Sequence, residues 1–243
     1  MMYKMKPSIL KYILLPLLAI AGLYGCKKSF LEKTPPDQIP SDAFWKTQSD
    51  ADLALTAIYT YLVQGYNYTS STNTGLGFGA GAIYWETISD NAFSGAFAPT
   101  STGSIEATNA NILQDAWQTS YRAIEACNTF LANIGKVNMD SKIMTRYIGE
   151  VRFLRAYHYF LLTQVYGDAV LALKPLGKDS SNYQLSRTPK SVVTDSIIND
   201  LNFAIANLPD TAYAGHVVKG TAQGYLAKLY LTGQRWQEAA ATC

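Results

Sequence analysis

Histidine is nearly absent from this chain: among 243 residues there are two, His158 and His216. Neither stands in an HExxH pattern or beside a serine elbow, so catalysis by histidine finds no support, and His158, with Arg155 and Tyr159 around it on a helix, reads as structural. Cysteine is almost as scarce, at three. Cys127 and Cys243 offer no CxxC or Cys/His metal spacing. Cys127 reads as a small core residue on a helix, and the spacing leaves a bridge to Cys243 open. Charged residues make up only 16%. Of the 20 basic residues three, Lys4, Lys6 and Lys11, lie in an N-terminal leader, leaving 17 against 18 acidic ones. That near-neutral balance lacks the electrostatic footprint of a nucleic-acid binder. No apolar run reaches the roughly 20 residues that span a bilayer. Gly75, Gly77, Gly79 and Gly81 alternate, but no strand precedes them and no P-loop Lys or Ser/Thr follows, so a turned loop is expected rather than a phosphate site. No cofactor, metal or catalytic residue is expected.

What is present begins with the leader. Met1 to Lys11 carries three lysines and no acid, and an apolar run of about a dozen residues follows from Tyr12 to Leu23, the layout of a signal peptide. Leu23-Tyr24-Gly25-Cys26 then resembles a lipobox, with a small residue before the cut and a thiol to carry lipid. Residues 1–25 are therefore expected to be a lipoprotein signal peptide and Cys26 the lipid attachment site. Several acyl chains at about 0.8 kcal/mol per buried methylene hold a protein to a membrane durably. Residues 26–40, polar and holding Pro35, Pro36 and Pro40, read as an extended tether.

Residues 41–243 read as an all-α domain with long irregular loops. Ser49 and Asp52 are expected to open a first helix, lined by Leu53, Ala57, Ile58, Tyr61 and Leu62 and ending near Gln64. Asn111 to Ile134 carries Ile112, Leu113, Trp117, Tyr121, Ile124, Cys127 and Leu131 on one stripe, with Gly135 as its stop. Asp140 should cap a helix running to Tyr166 and terminated by Gly167. Thr188-Pro189 should begin another, lined by Val192, Ile197, Ile198, Leu201 and Ile205 and closed by Pro209. Glu150, Arg152 and Arg155 offer ion pairs on a helix surface or between repeats, and Arg146 a modest one to Glu150. Leu226, Ala227, Tyr230, Trp236, Glu238 and Ala239 fall on tetratricopeptide spacing, where the small Ala227 and Ala239 let helices approach while Tyr230 and Trp236 fill the angle between them. That register puts Cys243 inside the repeat's second helix, so the domain is expected to be truncated at its C-terminal end.

The exception to helical patterning is residues 65–110, rich in Gly, Ser, Thr and Asn. A loop this long inside a compact domain tends to be functional. Its aromatic residues, Tyr66, Tyr68, Phe78, Tyr84, Trp85, Phe93 and Phe97, suit flat apolar faces, with Asp90 and Asn91 to meet hydroxyl groups.

Several segments together resemble the SusD/RagB family of surface lipoproteins. They are Ser29-Phe30-Leu31-Glu32 with Thr34-Pro35-Pro36-Asp37, the run from Asp115 through Trp117, Tyr121, Ile124 and Asn128 to Phe130, and above all Glu150 to Phe160 (EVRFLRAYHYF) continuing to Tyr166-Gly167-Asp168. Ser186-Arg187-Thr188-Pro189, Asp200-Leu201, Leu208-Pro209 and Lys219-Gly220-Thr221-Ala222 through Trp236 keep the family's order. Ala169-Val170-Leu171 stands where the family usually has Val-Pro-Leu. The resemblance implies a tetratricopeptide-like helical half, a lipid-anchored place on the outer membrane facing the exterior, a glycan ligand, and a TonB-dependent SusC-like transporter as partner. On that reading the aromatic loop is the candidate glycan site, with Tyr84 and Trp85 foremost. The alternative is a tetratricopeptide scaffold that binds proteins or peptides, which would have no reason to carry such a loop. The lipobox generates the first prediction. Cells expressing Cys26→Ala should lose incorporation of a palmitate analogue and release the protein from the membrane fraction, whereas unchanged labelling would exclude Cys26 as the anchor.

Overall fold

The computed structural model describes residues 44–63, 86, 89–93, 101–106, 108, 111–176 and 184–243. The signal peptide, the lipid cysteine and the tether lie outside these residues. The unit from Trp45 to Cys243 is helical: α1 Gln48–Val63, α2 Asn111–Asn133, α3 Ser141–Tyr166, α4 Lys190–Asn207, α5 Lys219–Thr232 and α6 Trp236–Thr242. A turn of 3-10 helix, Ile134–Lys136, follows α2 where Gly135 was expected to stop it. Among the described residues β structure is limited to two isolated bridges, Thr47 with Asn138 and Ala169 with Thr188.

The helix α3 is the centre of the assembly and packs on α1, α2, α4 and α5. Its ends are set locally, as expected. The Asp140 carboxylate accepts from the amides of Lys142 (2.8 Å) and Ile143 (3.1 Å), and Gly167 leaves the helix at φ +71°, a conformation L side chains avoid. Val151, Leu154 and Leu162 are fully enclosed, and Gly149 brings α3 so close to the end of α4 that a β-carbon there would lie 3.2 Å from Leu208. Each fully enclosed Leu, Ile or Phe of this core contributes roughly 1.5–3 kcal/mol relative to exposure. Cys127 is one of its members and Cys243 is exposed, and both are free thiols. Burial raises the Cys127 thiol far above its ordinary range.

Three local expectations are corrected. The cap of α1 is Thr47 rather than Ser49: its hydroxyl accepts from the Asp50 amide (3.3 Å) while the Asp50 carboxylate accepts from the Thr47 amide (2.8 Å), a reciprocal box that the Ser49 register cannot close. The buried face of α1 is correspondingly Ala51, Leu55 and Ile58, and Leu53 is 61% exposed. Thr188 does not cap α4. It is paired to Ala169, and the orphan amide of Lys190 instead donates to Asp168 (2.8 Å), 22 positions earlier. Trp236 is 62% exposed rather than wedged between α5 and α6. There Ala227 and Ala239 are buried as expected, while the Arg235 guanidinium covers the Tyr230 ring at 4.5 Å.

His158 is completely enclosed in α3, with neither ring nitrogen hydrogen-bonded. Burial alone pushes its pKa down to about 3. The unfolded chain binds this proton near pH 6.5 and the folded one does not, so stability is lost as pH falls from about 6.5 toward 3, at about 1.4 kcal/mol per pH unit. His158→Leu should therefore be more stable than the wild type at pH 5 by about 2 kcal/mol more than at pH 8, as read by urea denaturation at the two pH values. A gain independent of pH would exclude a protonation penalty.

Candidate functional site

Two buried polar clusters fasten connecting segments onto the helices. In the first, Arg155 of α3 meets Asp200 of α4 through Nε (2.8 Å) and Nη2 (2.9 Å), and its Nη1 donates to Asn128 of α2 (2.8 Å). Asn128 in turn donates to the carbonyls of Ala172 (2.8 Å) and Lys174 (3.2 Å). The stretch after α3 is extended, and two phenols serve as its strand partners. Tyr121 donates to the Val170 carbonyl (3.2 Å) and accepts its amide (2.7 Å), and Tyr159 does the same for Ala172 at 2.8 Å each way. Residues 170 and 172 share one side of an extended chain. Burial pushes Tyr121 up to about 12, so it is a neutral donor.

The second cluster is centred on Glu150, fully enclosed on α3. Tyr59 of α1 donates to it (2.7 Å), Tyr213 donates to its other oxygen, and His216 Nδ1 lies 2.7 Å away. Arg146 Nε approaches to 3.7 Å and its guanidinium covers the Tyr213 ring at 4.6 Å. His216 and Tyr213 stack at 4.8 Å, and the Val217 amide donates to the Tyr59 hydroxyl (3.0 Å). Burial first, then the carboxylate, raises Tyr59 far above the ordinary phenol range. The connection between α4 and α5 is thus strapped onto α1 and α3.

Three surfaces remain as candidates. Of the loop residues singled out in the sequence, Tyr66, Tyr68, Phe78, Tyr84, Trp85 and Phe97 lie outside the described residues. Asp90, Asn91 and Phe93 are all exposed, Phe93 by 70%, beside a turn in which Ser89 donates to the Glu86 carbonyl (2.7 Å) and accepts the Asn91 amide (3.2 Å). At the far end of the loop a groove of about 510 Å³ runs along α2, bounded by Glu106, Gln114, Trp117, Tyr166 and Arg187. Arg187 covers Trp117 at 5.0 Å, and Trp117 meets Tyr166 edge-on at 5.0 Å. The third is a cavity of about 540 Å³ between α1, α3, α5 and the strap, walled by Tyr59, Phe153, Tyr157, His216 and Tyr225. It was not foreseen in the sequence, because its residues come from four separate segments, three of them helices in which they look like ordinary stripe and one the connection between α4 and α5. Among the described residues no group of acidic, His and Cys side chains is arranged to hold a metal.

A family model described as starch-binding, associating with the outer membrane, matches residues 29–231. The chain belongs to this SusD-like family. A SusD-like protein of Formosa agariphila, P2, is 28% identical over 232 residues, 95% of this chain and 45% of the relative. A SusD-like protein of Bacteroides ovatus is 25% identical over 229 residues, 87% of this chain and 37% of the relative. Among solved structures, a SusD-like carbohydrate-binding protein of Bacteroides fragilis superposes with a TM-score of 0.71 at 31% identity over 82% of this chain and 40% of its own. A laminarin-binding SusD-like protein superposes with a TM-score of 0.69 at 26% identity over 82% and 43%. The chain thus spans less than half the length of these relatives. Its all-α, tetratricopeptide-like architecture is the SusD-like fold.

The Glu150 cluster generates a prediction. Glu150→Ala strands three polar groups around an emptied site and should cost about 3 kcal/mol. It should also free the strap, so that the Val217 amide exchanges with solvent well before the α3 amides. Equal protection of both in hydrogen-exchange mass spectrometry would show that Glu150 does not hold the strap.

Proposed function

We propose that this SusD-like chain is the helical portion of a lipid-anchored outer-membrane protein that captures glycan at the cell exterior and delivers it to a TonB-dependent SusC-like transporter, without catalytic activity of its own. The observation that carries the reading is the family match over residues 29–231, reinforced by two structural neighbours whose names specify carbohydrate or laminarin binding. No helix among the described residues is long and apolar enough to cross a membrane. In this reading the lipobox at Leu23-Tyr24-Gly25-Cys26 supports Cys26 as the membrane attachment.

The glycan site is assigned to the loop from Tyr66 to Phe97. Phe93 holds an apolar ring in solvent beside the exposed amide of Asn91 and carboxylate of Asp90. A sugar offers the complement, C–H faces for the ring and hydroxyls for the polar groups. Tyr84 and Trp85 are the leading contacts in this reading.

Calorimetry with laminarin and starch oligosaccharides tests the assignment. Either Trp85→Ala or Tyr84→Ala should weaken binding by about 1–3 kcal/mol with little change in melting temperature. Normal affinity in both variants would remove the loop from the site.

A further inference from the structure

None of the described residues that wall the cavity, Tyr59, Phe153, Tyr157, His216 and Tyr225 among them, comes from the loop between Tyr66 and Phe97. The cavity combines aromatic walls with idle polar groups. Its volume of about 540 Å³ falls within the roughly 300–1,000 Å³ of small-molecule sites. The walls are set by contacts within the fold. Phe153 is a core residue whose ring meets Tyr225 edge-on at 5.3 Å, and Tyr157 lies 5.5 Å from Tyr225 with the rings inclined at 60°. On the opposite side Tyr59 meets His216 at 5.2 Å, and both are fixed through Glu150.

The hydroxyls of Tyr157 and Tyr225, by contrast, make no hydrogen bond among the described residues, and those of Thr56 and Thr221 are likewise unengaged on the wall. Burial raises both phenols, Tyr225 to about 12, so they are neutral donors and acceptors at physiological pH. Among the described residues no Asp, Glu, Lys or Arg lines the cavity, and the carboxylate behind it, Glu150, is already taken up by Tyr59, Tyr213 and His216. A charged ligand entering here would give up its hydration without a partner. A wholly apolar one would leave the phenols and threonines unpaired.

We propose that this cavity is a second ligand site, separate from the loop, that takes an uncharged sugar ring: the ring's C–H faces lie against the aromatic walls and its hydroxyls pair with Tyr157 and Tyr225. The proposal rests on the glycan-binding reading and adds to it a neutral ligand class and a place between α1, α3 and α5.

The whole chain, labelled with ¹³C at methyl groups and ¹⁵N at tryptophan indoles, can be titrated with maltohexaose, laminarihexaose and an oligogalacturonate. A neutral hexaose should shift the Val217 and Thr221 methyl signals saturably, and the acidic sugar should not. Tyr157→Phe combined with Tyr225→Phe should raise the dissociation constant at these methyls about tenfold. Its melting temperature should not change, because neither hydroxyl has a partner among the described residues to lose. The methyl shifts should persist in Trp85→Ala. A neutral hexaose that shifts the Trp85 indole and leaves the cavity methyls unmoved overturns the cavity site while the loop reading stands. Shifts at neither place overturn both. Equal response to oligogalacturonate overturns the neutral class, and loss of the methyl shifts in Trp85→Ala overturns the separateness of the two sites.

Discussion

The fold depends first on one buried ion pair. Arg155 is 6% exposed and Asp200 3%, so both charges have left water, at a cost of several kcal/mol each before any partner is counted. What offsets that cost is geometry: a two-pronged contact to one carboxylate, with the remaining prong on Asn128. Burial works against the Arg155 charge, but the hydrogen bonds and charge of Asp200 more than compensate, so its pKa is held above the ordinary value. Because the fork is planar and directional, α2, α3 and α4 meet in the one register that aligns it.

The same cluster explains why the chain after α3 needs no partner strand. Backbone amides and carbonyls turned toward a packed interior must be satisfied, and here Tyr121, Tyr159 and Asn128 do so from the helices at alternate residues. This connection then delivers Asp168 to the start of α4 and Thr188 to Ala169. Side chains of α2 and α3 thereby take over work that backbone pairing does in a sheet. Five residues before Arg155 on α3, Glu150 performs the equivalent task for the connection between α4 and α5. Both connections are fastened to the central helix by buried polar groups, and the aromatic cavity is bounded by the second of them together with α1, α3 and α5.

Local signals were legible in the sequence where both partners lie within a few residues. Asp140 and its amides, Gly167 at the end of α3 and the small residues Ala227 and Ala239 behave as their spacing indicates. The same kind of reasoning placed the cap of α1 two residues late, since Ser49 and Thr47 are both good caps and only the reciprocal bond with Asp50 selects between them. It also gave α4 the wrong cap. Thr188 is adjacent, while the acceptor that serves, Asp168, comes from another element. Glu150 and Arg155 were read as ion-pairing residues either on a helix surface or between repeats. They lie buried between elements, and period alone does not reveal which polar residue of a helix faces inward.

The amino-acid sequence by itself determined the helices, most of their ends and, through the run from Glu150 to Asp168, the family. Those properties follow from hydrogen bonds and apolar periodicities that close within one or two turns. Only the tertiary structure decided which charges are enclosed, that Tyr121 and Tyr159 stand in for a strand, and that Tyr59, Tyr157 and Tyr225 surround one cavity. Each of these requires helices distant in the chain to dock in a particular register. That register is fixed by the joint satisfaction of buried groups on several helices, a condition no single segment contains.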